Sequence, residues 1–132
     1  PIDQSNHYRS LKIKQLVHHC ADSHINSIVR FKLALTEDMP TITPYFEERW
    51  AELADGTDDT ITDSLNLLEA LHNKWVILLN SLTDEQLDRQ FIHPEGNRTI
   101  SVLENIGLYA WHCDHHLAHI QQAIDSGGKY LK

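Results

Sequence analysis

The 132 residues carry 11 Lys and Arg against 19 Asp and Glu, a formal charge of −8, and 41% of them are hydrophobic. This suits one compact domain, residues 1–132, with a core of its own, and the acidic balance argues against nucleic acid, whose phosphates it repels. No stretch is long and apolar enough to span a bilayer, no basic-then-apolar leader opens the chain, and two cysteines, Cys20 and Cys113, are too few for a disulfide scaffold; they read as reduced thiols of a cytoplasmic protein.

Apolar spacing predicts a first helix over about residues 10–36. Ile13, Val17, Cys20, Ile28, Phe31 and Leu35 form its stripe, with His24 filling the gap as a buried, hydrogen-bonded histidine. The Pro40 region ends it. The connection "TEDMPTITPYFEERWAELADGTDD" holds two prolines and a short helix from about Glu47 to Leu53. A crossover of that length fits a bundle with one overhand connection. In the second helix Ile61, Leu65, Leu68, Trp75, Leu79 and Leu82 recur at steps of 3, 4 or 7, and His72 completes the stripe as a second buried histidine. Thr60 with Asp63 three residues on resembles a capping box. Next comes "TDEQLDRQFIHPEGNRT", with a turn signal at Pro94 to Asn97 and no strand pattern of consequence. The third helix runs through Leu103, Ile106, Ala110, Cys113, Leu117, Ile120 and Ile124, with Thr99 as its N-cap and Gly127-Gly128 as its stop. The expected fold is all-α.

The third helix also carries "GLYAWHCDHHLAHI", with four of the chain's ten histidines in eight residues. At roughly 100° per residue, His112 and His116 border the apolar stripe, whereas His115 and His119 point more nearly away from it. Histidines at i and i+4 share a face and can reach one metal ion. Two ligands do not make a site, and the first helix offers His18 or His19 as the third; periodicity does not choose between them. Tyr109, one turn before His112, is a pocket candidate.

Three segments, "LVHHCADSHINSIVRFKLALTED", "PYFEERWAELAD" and "GLYAWHCDHHLAHI", resemble the DinB/YfiT family, its YfiT branch in particular, in order and spacing from about Tyr8 to Ile124. The resemblance implies a four-helix bundle, represented here by three long helices with a long crossover between the first two. It implies one divalent ion, zinc or nickel, held by His19, His112 and His116, and so resolves the choice between His18 and His19. It makes the arc of His19, Asn26 and Arg30 the lining of a pocket, and it implies a homodimer. The chain departs from the family in lacking a further helix ahead of its first. The domain is expected to be N-terminally incomplete, or completed by a partner chain; the start at Pro1, with Met39 the only methionine, favours truncation.

Three neutral imidazoles leave a zinc position open for water, the arrangement of catalytic sites. The first expectation is a metal-dependent hydrolase that uses activated water on a small-molecule substrate. The alternative is a metal-dependent S-transferase for a low-molecular-weight thiol, because thiolates are good ligands for the same ion. Relatives of both kinds belong to the family. An expectation of another class is a non-catalytic metal-binding bundle acting by association. Asp22, three residues from His19, is a candidate general base and His115 a weaker catalytic candidate, while Asn26 and Arg30, as pocket residues, could hold the carboxylates or amides of a small thiol cofactor.

Overall fold

A computed structural model describes residues 13–125; from 111 onward the description concerns the helix backbone. The long elements are α1 (Ile13–Thr36), α3 (Thr62–Ser81) and α5 (Val102–Asp125). Short helices α2 (Glu47–Ala51) and α4 (Asp84–Leu87) lie in the connections. Among the described residues α1 is central, packing on α3, α2, α5 and the segment before α5. No described helix is long and apolar enough to cross a membrane.

That segment corrects the sequence reading. Gln90–His93 and Arg98–Ser101 form strands β1 and β2 of an antiparallel hairpin, with Phe91 opposite Ile100 and Ile92 opposite Thr99. Four residues per strand are too few for alternation to show in the sequence. The turn at Pro94–Asn97 is where it was expected, and its chemistry is legible: Gly96 and Asn97 adopt φ of 75° and 49°, the left-handed region those two residues tolerate best. The crossover pairs with the hairpin's edge, where the Ile42 and Ile92 amides donate to the Ile92 and Pro40 carbonyls at 3.0 and 2.8 Å.

This end of the molecule holds the core. Phe31 and Ala34 of α1, Ile42 of the crossover, Trp75 of α3, Phe91 and Ile100 of the hairpin, and Val102 of α5 form one buried cluster. Arg89 closes it from below. Its guanidinium donates to the carbonyls of Ala34 and Glu37 at 3.0 and 2.8 Å, satisfying acceptors at the C-terminal end of α1, where a cation also suits the helix dipole.

Three expectations about helix ends and faces are corrected. Thr60 and Asp63 make no capping box: the N-cap of α3 is Ile61 with no side-chain bond, and the Thr60 amide instead donates to Asp58 Oδ1 at 3.1 Å, closing a local turn first. Thr99 lies in β2, and the α5 start is held by Ser101, whose Oγ accepts from the Glu104 amide at 3.0 Å. A full capping box does occur, at Thr83 and Gln86 on α4. Gly127-Gly128 lies outside the described residues. His24 is buried as expected, its Nδ1–H donating to the Cys20 carbonyl at 2.7 Å. His72 is exposed rather than buried, its ring 4.8 Å from that of His24 at the edge of a cleft of about 240 Å³ between α1, α3 and α5. Of the α3 stripe only Trp75 is buried, and Leu65 is 48% exposed. The α3 stripe is apolar as periodicity predicted, but its packing on α1 covers it only in part, leaving Leu68, Leu79 and Leu82 half-buried.

Candidate functional site

Three polar side chains on α1 recur every four residues and are all buried: His19, Ser23 and Ser27, at 2%, 4% and 0% exposure. A polar stripe inside a helical bundle needs partners from the facing helix. For the two serines these come from α5. The Tyr109 hydroxyl donates to the Ser23 carbonyl at 2.9 Å and lies 3.3 Å from Ser23 Oγ. Asn105, itself buried, donates from Nδ2 to Ser27 Oγ at 3.3 Å.

These contacts define the register of α1 against α5. Four residues forward on α1, from Ser23 to Ser27, correspond to four residues back on α5, from Tyr109 to Asn105, as in an antiparallel pair. One such step the other way sets His19 level with position 113, between positions 112 and 116. At roughly 100° per residue, positions 105, 109, 112 and 116 fall within an arc of about 60°, whereas position 115 lies about 90° from its centre. The side chains of His112, His115, His116 and His119 lie outside the described residues; the backbone at all four positions belongs to α5. Among the described residues no three His, Cys, Asp or Glu side chains gather to hold a metal.

His18 has a different role. Its Nε2–H donates to the Asp58 carbonyl at 2.9 Å, and its Nδ1 accepts from the Ser64 hydroxyl at 2.6 Å. The carbonyl can only accept, which fixes the tautomer and leaves His18 no lone pair for a metal. Buried at 6% exposure, it pins α1 to the start of α3.

Asp22 is half-buried, and its carboxyl is pushed up to about 6, first by burial, then by Asp55, with His18 opposing. Asp55 is held there by the turn after α2, where Gly56 packs so closely on the Trp50 and Ala51 carbonyls that a Cβ would sit 2.9 and 2.8 Å from them. A carboxyl whose folded pKa lies above its unfolded value favours the folded state below about pH 4. It loses that contribution as pH rises through about 6. Asp22→Asn is therefore expected to stabilise the metal-free protein at pH 8 and to leave it unchanged at pH 3.5, as urea unfolding in EDTA at the two pH values would show.

The remaining pocket candidates separate. Asn26 is half-buried, but its Nδ2 donates to the Asp22 carbonyl in its own helix at 2.8 Å. Arg30 is half-buried, with one long bond of 3.5 Å from Nη2 to the Thr43 carbonyl, and its charge acts on Tyr45, Tyr109 and His93. Tyr109 bonds to Ser23 in the buried row. The sequence reading missed Ser23, Ser27 and Asn105; their four-residue spacing from His19 and from Tyr109 was the available signal.

Comparison with known proteins gives a family model, the DinB superfamily, that matches residues 12–120. The chain is 49% identical over 110 residues to the Bacillus subtilis protein named "Putative metal-dependent hydrolase YfiT", covering 83% of this chain and 62% of that protein. It is 56% identical over 108 residues to a "Putative metal-dependent hydrolase" of Bacillus cereus strain 03BB102, covering 82% and 61%. It superposes with a TM-score of 0.83 and 47% identity on a solved structure described as "YfiT from Bacillus subtilis is a probable metal-dependent hydrolase with an unusual four-helix bundle topology", covering 87% of this chain and 66% of that one. The chain thus spans about three fifths of the length of these two curated relatives.

Proposed function

The chain belongs to the DinB superfamily, with the all-α bundle of its solved relative, and from that premise we propose that it is a metal-dependent hydrolase whose ion is held by His19, His112 and His116. The observation that carries this reading is the α1–α5 register. Two hydrogen-bonded rows, Ser27 with Asn105 and Ser23 with Tyr109, lead by one further turn to a buried His19 level with positions 112 and 116. A buried imidazole on the seam between two helices, facing a stripe with histidines at i and i+4, fits the donor chemistry of zinc or nickel.

A divalent ion on three neutral imidazoles with one open position supplies Lewis acidity and lowers the pKa of water toward neutrality. The chain's own residues do the rest. The Ser23–Tyr109 and Ser27–Asn105 bonds fix α1 against α5, so the ligand positions keep their spacing. Asp22, three residues along from His19, has a carboxyl of pKa about 6, suited to holding or releasing a proton near neutral pH. Arg30, whose charge is felt at Tyr45 and Tyr109, carries guanidinium donors that suit a carboxylate or carbonyl of a small substrate.

The test is elemental analysis of protein purified without a histidine tag, as wild type, His112→Ala and His116→Ala. About one zinc or nickel per chain in the wild type, absent from both variants while helical circular dichroism is kept, is the expected result. Full occupancy in either variant would remove that residue from the ligand set. A folded wild type that takes up no metal even after dialysis against Zn²⁺ or Ni²⁺ would replace the enzyme reading with that of a bundle acting by association.

A further inference from the structure

Helices α3 and α5 both pack on α1 and scarcely on each other, so they stand as two walls with α1 between them. The cleft of about 240 Å³ lies in that gap, with His24 and Phe31 of α1 at its floor, Val76 and Leu79 on one wall, and Ile106 and Ala110 on the other. The walls run beyond the cleft. At roughly 100° per residue, Leu65, His72, Val76 and Leu79 share an arc of about 60° on α3, and Leu103 joins Ile106 and Ala110 within a similar arc on α5. From Leu65 to Leu79 the α3 wall is roughly 21 Å long. Leu65, Val76 and Leu103 on these walls are 48%, 55% and 56% exposed, although an apolar stripe on a helix is the face that packing normally covers.

Gly107 is an independent sign on the α5 wall. It lies inside the helix, where glycine is less stable than alanine, and a Cβ there would meet no neighbour within 4 Å among the described residues. It lies about 40° from Leu103, and the next residue on that side, Ala110, is also small and exposed. A glycine that no described neighbour requires is suited to the close approach of another backbone.

We propose that the groove between α3 and α5 docks an amphipathic helix of about four turns or more from outside these 132 residues, equivalent to the fourth helix of the solved relative. A floor and two apolar walls at helical spacing form the kind of surface that receives the apolar face of a helix. The 12 residues ahead of α1 and the 7 after α5 are each fewer than the about 14 residues that a helix needs to follow the α3 wall. A second copy would set groove against groove and bring together two chains of charge −8. The relative, in contrast, is a four-helix bundle of which this chain covers 66%, and the described residues hold three long helices. The His24 and His72 rings, 4.8 Å apart, place imidazoles midway along the groove. The docked helix therefore carries a polar side chain at that level of its apolar face. None of this depends on the metal reading.

The test uses the 132-residue chain and the segments of Bacillus subtilis YfiT that lie outside the 110-residue match, each made as a peptide. Trp75 lines the cleft, so tryptophan emission reports binding, with circular dichroism and the melting temperature beside it. One segment is expected to bind with a Kd on the order of 10 μM or tighter, to gain helix and to raise the melting temperature. Val76→Asp, within the α3 wall, should weaken that binding at least about tenfold. Ile77→Asp, the next residue but about 130° from the centre of the wall, should leave it within about twofold. Both positions are exposed, at 55% and 73%, so each variant is expected to keep the fold. A folded wild type that binds no segment would overturn the proposal, as would binding that the two variants weaken equally or not at all. Sedimentation of the chain alone supplies the last check: self-association abolished by Val76→Asp would make a second copy the occupant and overturn it as well.

Discussion

Replacing His19 by alanine is expected to weaken metal binding more than about 100-fold, because loss of a ligand costs more than loss of a residue that merely orients one. Replacing its neighbour His18 is expected to leave metal binding within a few-fold of wild type and to lower stability by about 2–4 kcal/mol. The two residues are adjacent and equally histidine, yet the structure uses them differently. Both His18 nitrogens are committed, to the Asp58 carbonyl and the Ser64 hydroxyl, so truncation removes both bonds and opens a space where a buried ring packed between α1 and α3. His19 lies about 100° further round the helix, on the stripe with Ser23 and Ser27 that meets α5. Calorimetric titration with Zn²⁺ and urea unfolding of both variants check the pair. A His18→Ala protein that folds but no longer binds zinc, beside a His19→Ala protein that does, would exchange their roles.

The helical wheel could group His112 with His116 because position on one helix is a local property, although of the stripe it drew there Ile106 is half-buried and Leu103 is 56% exposed. It left His18 and His19 open because the choice between them depends on which helix each meets, and that is set by packing rather than by α1 itself. The resemblance to the DinB/YfiT family pointed to His19, and the hydrogen bonds of His18 give an independent physical reason to set the other residue aside. The hairpin escaped for a related reason. Its strands owe their stability to the crossover along their edge and to Phe91 and Ile100 in the shared core, none of it visible in a four-residue pattern. His72 shows the converse: a stripe position predicts burial only where another element covers the stripe, and here it borders an open cleft.

Phe31→Ala is expected to cost about 3–5 kcal/mol, a large share of the roughly 5–15 kcal/mol available to a domain of this size. The ring is 1% exposed and meets Trp75 edge-on at 5.4 Å, amid Ala34, Ile42, Phe91, Ile100 and Val102. Elements from both ends of the sequence line that space, so the cavity left by truncation cannot close by moving one of them. Ile77→Ala, at a position 73% exposed, should shift stability by no more than about 0.5 kcal/mol. Urea unfolding of both variants measures the contrast, and a Phe31→Ala protein within about 1 kcal/mol of wild type would show that the cluster is not the stabilising core. Phe31 also separates stability from function along one helix. It lies twelve residues from His19, roughly 18 Å along the axis of α1, so the folded Phe31→Ala protein should bind Zn²⁺ with the wild-type affinity while unfolding at much lower urea. The hairpin end would then be the part of the fold that holds α1 in place, and the His19 end the part free to be polar, because its stability is supplied elsewhere on the same helix.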